Sequence, residues 1–172
     1  MSDANPMREL LIDKVTVNIG VGAPGERLEY ARELISRLAG DKKPIETLAK
    51  TRNPVFKLRK GLPIGVKVTL RGKEASDFLE KAFAAKRKKI EKKNFDKEGN
   101  FSFGIAEYID FPGIKYDPEI GMFGFDVCVS MMRRGKRVVR RKLRSSKIGN
   151  NHRIPKEEAI EFVSKKFDVT VE

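Results

Sequence analysis

Tryptophan is absent from this chain of 172 residues, and cysteine and histidine occur once each. A lone Cys128 excludes a disulfide framework and a cysteine-built zinc site, and it fits a reducing compartment. His152 sits beside Asn150, Asn151 and Arg153, with no nucleophile pattern and no second metal ligand near it. A polar loop group, or an RNA contact, describes it better than a catalyst does. Apolar runs stay well under the roughly 18 residues of a membrane span, and Met1 to Glu9 lacks the charge-then-apolar order of a signal peptide. A cytoplasmic protein without membrane contact is expected. Paired carboxylates have structural explanations: Asp117 with Glu119 in a turn, and Glu157 with Glu158 at a helix N-terminus, where the helix dipole favours acids. Gly61-x-x-x-Gly65-x-Lys67 lacks the spacing of a phosphate-binding loop. These residues assemble no active site and require no cofactor, metal or small-molecule substrate.

Negative charge is also scarce, and unevenly so. Lys and Arg number 37 against 24 Asp and Glu, a net charge of +13. A surplus of that size favours a polyanionic partner, of which nucleic acid is the commonest. Residues 41–73 hold ten basic and two acidic side chains, residues 131–153 hold ten basic and none acidic, and the remainder carries none of the surplus. In the first block, Thr51 to Arg71 (TRNPVFKLRKGLPIGVKVTLR) joins a loop bearing Arg52, Lys57, Arg59 and Lys60 to an alternating stretch. Pro54 and Gly61 interrupt regular structure there. A solvated hairpin loop would also be charged, but agreement with the whole-chain charge favours a loop that reaches toward something negative. The second block contains RRGKRVVRRKLR, Arg133 to Arg144, which alternates only weakly and reads as an extended arm or hairpin lying along phosphates. The length suits one domain, 1–172, with a basic loop at 50–62 and a basic arm or hairpin at 131–153.

Period-two patterning predicts half-buried strands. Val15, Val17, Ile19 and Val21 share one face, with Lys14, Thr16, Asn18 and Gly20 on the other; Ile64, Val66, Val68 and Leu70 repeat this, with Gly65, Lys67, Thr69 and Arg71 outward. Neither outer face holds an acid. Phe101, Phe103 and Ile105 begin a third strand with Ser102, Gly104, Ala106 and Tyr108 outward, and Phe123 to Met131 a fourth with Gly124, Asp126, Cys128 and Ser130 outward. Small outer residues would let an RNA helix approach closely, although a solvated sheet carries them too. Pro44 to Leu48 reads as a further short strand. Helical spacing marks Leu28 to Leu38, capped by Gly40, then Ala75 to Phe83 with a tail Lys86 to Lys93 (KRKKIEKK), and a last helix from Pro155 through Phe167 before a short tail. That lysine-rich run suits RNA binding or a solvated helix end equally. Gly20-x-Gly22-x-x-Gly25 matches the dinucleotide fingerprint on spacing, with Glu46 about where a ribose-binding acid would sit. Pro24 within it, the lack of repeated strand-helix alternation and the large charge favour a plain glycine-rich turn.

KVTVNIGVG, TRNPVFKLRKGLPIGVKVTLRG, FSFGIAEYIDFPGIKYDPEIGMFGFDV and SSKIGNNHRI, spread from Lys14 to Ile154, resemble the L-five family of large-subunit ribosomal proteins in its archaeal and eukaryotic branch. Tyr108 and Phe125 depart from the family pattern, which places His and Met there. The resemblance implies an α+β fold: an antiparallel sheet with helices packed on one face, the other face open for 5S ribosomal RNA, and a protruding basic loop. It implies a place in the central protuberance of the large subunit, near a bridge to the small subunit and its protein partner. Asn18, Gly20, Lys67, Thr69 and Arg71 would then touch 5S RNA. Thr51, Arg52, Asn53, Lys57, Arg59 and Lys60 would lie on the loop toward transfer RNA in the peptidyl site. Arg133, Arg134, Lys136, Arg137, Arg140 and Arg141 would meet phosphates of ribosomal RNA.

Overall fold

In a computed structural model describing residues 5–40 and 42–172, the alternating stretches pair into a five-stranded antiparallel sheet. Met1 to Ala4 of the polar lead-in, and Asp41 of the first basic block, lie outside the described residues. The chain runs β1 (Leu10–Gly20), α1 (Glu26–Leu38), β2 (Ile45–Leu48), β3 (Pro63–Leu70), α2 (Lys73–Ala85), β4 (Lys89–Ile90), β5 (Phe101–Ile105), β6 (Phe125–Arg133), α3 (Arg137–Arg140), α4 (Lys156–Phe167) and β7 (Thr170–Val171). The strand order is β2-β3-β1-β6-β5, so β1 is central and most of its apolar face is sealed: Val15, Val17 and Ile19 are buried. Each such side chain contributes about 1.5–3 kcal/mol relative to exposure.

The helices cover that same face. α1 buries Leu28, Ala31, Leu34, Ile35 and Leu38, and α2 buries Ala75, Phe78, Leu79, Ala82 and Phe83, the residues whose spacing predicted them. Gly40 supplies a φ of +68° just past α1, a left-handed turn that costs a side chain dearly. α4 begins one residue later than expected, with Pro155 as its cap. Its Phe167 meets the Phe83 ring at 5.0 Å, and Phe83 stacks on Phe103 at 5.4 Å, joining α2, α4 and β5 in one core.

Four expectations are corrected. Lys86 to Lys93 is not a helix tail: α2 stops at Ala85, Arg87 and Lys88 take left-handed φ, and β4 pairs in parallel with β7. Consecutive like charges and the end of the apolar stripe remove the reason to continue the helix, whereas burying Ile90 and Val169 rewards the turn. The terminal residues are therefore a strand and not a free tail. Tyr108 does not face outward. β5 ends at Ile105, and Tyr108 lies fully buried in a 3-10 turn whose hydroxyl accepts the Asp117 N–H at 3.0 Å. This bond closes the proline- and glycine-punctuated loop over the core, and Arg37 of α1 clasps the same loop through Asp117 at 2.9 Å.

The fourth correction concerns Arg133 to Arg144. It is no extended arm: Arg133 ends β6 with its side chain buried against Glu158 of α4, and residues 137–140 form a single helical turn. An acid far away in sequence holds this turn. Asp13, at an irregularity in the β1–β6 pairing, is buried and accepts from both Arg140 guanidinium nitrogens, one at 2.9 Å; Arg71 lies 3.6 Å from it. Hydrogen bonding to Arg140, with the positive charges of Arg140, Lys136 and Arg71, holds the Asp13 carboxyl below its ordinary range despite burial. A carboxyl depressed by folding stabilises above its unfolded value, about 3.9, and loses that contribution as pH falls through the folded value. Asp13→Asn is expected to cost about 1–3 kcal/mol at neutral pH. Urea denaturation of both proteins should show the gap closing below about pH 4; a gap that persists undiminished at pH 2 would contradict the ion pair.

Candidate nucleic-acid interface

Strand register places the expected RNA contacts side by side. Asn18 is opposite Lys67, Thr16 opposite Thr69, and Gly20 opposite Gly65 across β1 and β3. Lys67, Thr69, Arg71 and Gly20 are exposed and Asn18 is half-buried, on the side of the sheet away from α1 and α2. Gly65 is buried on this face. A Cβ there would stand 2.7 Å from the Ile19 carbonyl oxygen and 2.9 Å from Thr47 Oγ1, so only glycine lets β3 sit so close to its neighbours. Arg71, 61% exposed along its side chain, leans toward Asp13 but keeps its guanidinium accessible.

The face is not uniform. Ser102, Gly104 and Cys128 make its β5–β6 half small and exposed, and Asp126 stands there opposite Asn18. A concavity of about 800 Å³ lies over this half, bordered by Lys86, Lys89, Glu91 and Asn94. Partial desolvation against the sheet, with the nearby Asp126 carboxylate, raises the pKa of the Cys128 thiol above its ordinary value. Cations thus mark the β1–β3 half, whereas the other half sets the acids Asp126 and Glu91 beside Lys86 and Lys89.

The loop between β2 and β3 is ordered by its own backbone. Asn53 and Leu58 exchange hydrogen bonds at 3.0 and 2.9 Å, and Asn53 Oδ1 accepts the Val55 N–H at 3.1 Å. Asn53 therefore builds the turn, while Thr51, Arg52, Lys57, Arg59 and Lys60 are all exposed around it. The tip itself is apolar: Val55 is 84% and Phe56 71% exposed. Sequence reasoning passed over these two; the signal was an aromatic residue following an Asn-Pro turn inside a cationic run.

The third set divides. Arg137 and Arg141 are exposed, and Arg134 is exposed beside Glu9 at 2.9 Å. Arg133 is enclosed by the protein against Glu158, which corrects it from phosphate contact to internal ion pair, whereas Arg140 is clasped by Asp13 with its side chain still 46% exposed. Lys136 is half-buried and donates to the Met131 carbonyl at 2.9 Å; burial lowers its pKa. His152 Nε2 lies 2.9 Å from the Arg134 carbonyl, tying its loop to the end of β6. Asp13 was another residue missed, although an acid breaking the apolar run Leu10-Leu11-Ile12 was its visible trace. Among the described residues no three His, Cys, Asp or Glu side chains gather as a metal site requires, and no helix is long and apolar enough to cross a membrane.

A family model described as ribosomal protein L5 matches residues 5–59, and one described as the C-terminus of the same ribosomal protein family matches residues 63–169. The chain belongs to the L5 family of ribosomal proteins. This is a family of structural proteins and not of enzymes. Its relatives include the large ribosomal subunit protein uL5 of Thermoplasma acidophilum, 54% identical over 97% of this chain and 98% of the relative. The uL5 proteins of Sulfurisphaera tokodaii and Methanococcus vannielii are 53% and 52% identical, covering 97% and 98% of this chain and 94% of each relative. The two L5 family models meet at the foot of the basic loop, where β3 begins. Tyr108 and Phe125 are both buried in this L5-family chain, so neither side chain is available to a partner on the surface.

Proposed function

We propose that this protein is a non-catalytic constituent of the large ribosomal subunit in the cytoplasm, which binds 5S ribosomal RNA on its open sheet face and attaches it at the central protuberance. The observation that carries this reading is the row Asn18, Lys67, Thr69 and Arg71, exposed or half-exposed on β1 and β3 with the helices on the opposite side. Lysine and arginine meet phosphates, while the threonine hydroxyl and asparagine amide offer hydrogen bonds to phosphate or ribose 2′-hydroxyl groups. The basic loop is a separate surface, turned toward transfer RNA in the peptidyl site. Its cations would follow the backbone, and exposed Phe56 offers a ring on which a base or ribose packs. Arg137 and Arg141 remain for phosphates of the large-subunit RNA, and a small-subunit protein is the expected neighbour across the bridge.

The test is a titration of 5S RNA against the full chain at several salt concentrations. About six phosphate contacts predict a loss of affinity of about a thousandfold between 50 and 200 mM salt. An affinity that stays flat across that range would refute the phosphate-reading face.

A further inference from the structure

At the C-terminal end of β6 lies a cavity of about 300 Å³ that neither the open sheet face nor the basic loop uses. Val139, Ile148 and Ile154 give it apolar walls; Lys136, Arg140, Lys147 and Arg153 surround it, with Glu98 as the one acid among the described residues. Arg133 also lines it, and the Nε of that arginine is buried without a hydrogen-bond partner among the described residues. A buried donor left unpaired is costly and rare, and an incoming acceptor would satisfy it. The cavity is about ten times the roughly 30 Å³ share of one water, so a bare phosphate would leave most of it empty. Its apolar walls suit the body of a larger ligand whose charged end is an anion.

Position selects among such ligands. Arg140 on the cavity wall is clasped by Asp13, which also faces Arg71 on the open sheet face, so the cavity adjoins the surface read above as the 5S RNA contact. Single-stranded and extruded nucleotides are what proteins recognise in folded RNA, through unstacked bases set against side chains. We propose that this cavity receives one nucleotide of the bound ribosomal RNA, turned out of its helix. Its phosphate lies among Lys136, Arg140, Lys147 and Arg153, its base against Val139, Ile148 and Ile154, and an acceptor atom takes the Arg133 Nε–H. The inference rests on the ribosomal-RNA reading and adds a nucleotide-sized subsite to it.

The experiment is NMR of the full chain at low salt, following the Arg133 Nε–H and the Ile148 and Ile154 methyl groups. The four nucleoside 5′-monophosphates, inorganic phosphate and an acidic-apolar hexapeptide are titrated separately. At least one monophosphate is expected to shift all three signals and to bind about tenfold more tightly than inorganic phosphate. Ile148→Glu is expected to weaken that binding about tenfold, and Ile148→Leu to restore it. Equal binding of phosphate and monophosphates would reduce the cavity to an anion site and overturn the proposal, as would tighter binding of the peptide. Filter binding of 5S RNA in parallel separates the two readings. RNA retained without any monophosphate response refutes the nucleotide subsite alone, whereas loss of both refutes the ribosomal-RNA reading with it.

Discussion

Lys67→Glu combined with Arg71→Glu is expected to lower affinity for 5S ribosomal RNA about a hundredfold or more, and to flatten its salt dependence by about two phosphate equivalents. A charge-assisted hydrogen bond contributes about 1.5–3 kcal/mol, and each 1.4 kcal/mol is about tenfold in affinity. Removing two contacts therefore accounts for the hundredfold, and placing two carboxylates against phosphates adds repulsion. Both side chains are exposed, but Arg71 also lies 3.6 Å from buried Asp13, so a melting curve of the variant is read beside its RNA affinity to separate loss of fold from loss of contact. The same measurement on a protein with Arg52, Lys57, Arg59 and Lys60 neutralised should show 5S affinity nearly intact, while contact with peptidyl-site transfer RNA on assembled ribosomes weakens. The loop closes on its own backbone bonds at Ala49, Asn53, Leu58 and Leu62, which is why its charges can change without disturbing the sheet. Equal loss of both affinities in both variants would show that the sheet face and the loop are one surface and not two.

Phe83→Ala is expected to destabilise the protein by about 3–5 kcal/mol, lowering the melting temperature by roughly 6–20 °C for a chain of this size. Phe83 is 1% exposed and its ring lies within 6.2 Å of three others, Phe101, Phe103 and Phe167. Truncation removes the buried ring and leaves a cavity bordered by α2, α4 and β5, elements distant in sequence that cannot all collapse inward together. Denaturation should show a lower midpoint with an unchanged slope. A shift below about 1 kcal/mol would mean that the aromatic cluster is not a keystone of the core. Because this cluster sits on the side opposite Lys67 and Thr69, RNA affinity of the folded fraction should change little. That contrast separates loss of fold from loss of contact.

Much of the architecture was legible in short-range pattern. The alternation around Val17 and Val68 predicted both strands and the outward side of each, since a period of two leaves a strand only two faces. The helical spacing of Leu28 to Leu38 and of Ala75 to Phe83 named every residue those helices bury. Where pattern misled, a distant partner had intervened. Lys86 to Lys93 left its helix because the far end of the chain supplied β7 as a partner, and Tyr108 turned inward because a loop nine residues on needed its hydroxyl. Arg133 looked like its exposed neighbours Arg137 and Arg141, since nothing in RRGKRVVRR indicates which guanidinium will be enclosed with Glu158 or clasped by Asp13.

Composition and period alone were enough for a basic, RNA-directed sheet protein with helices on one side, because charge surplus and face alternation are local properties of the chain. Three-dimensional packing had to decide which cations stay free. An arginine enclosed with a carboxylate from a distant helix, as Arg133 is with Glu158, is withdrawn from the surface, and that competition is settled by proximity in space.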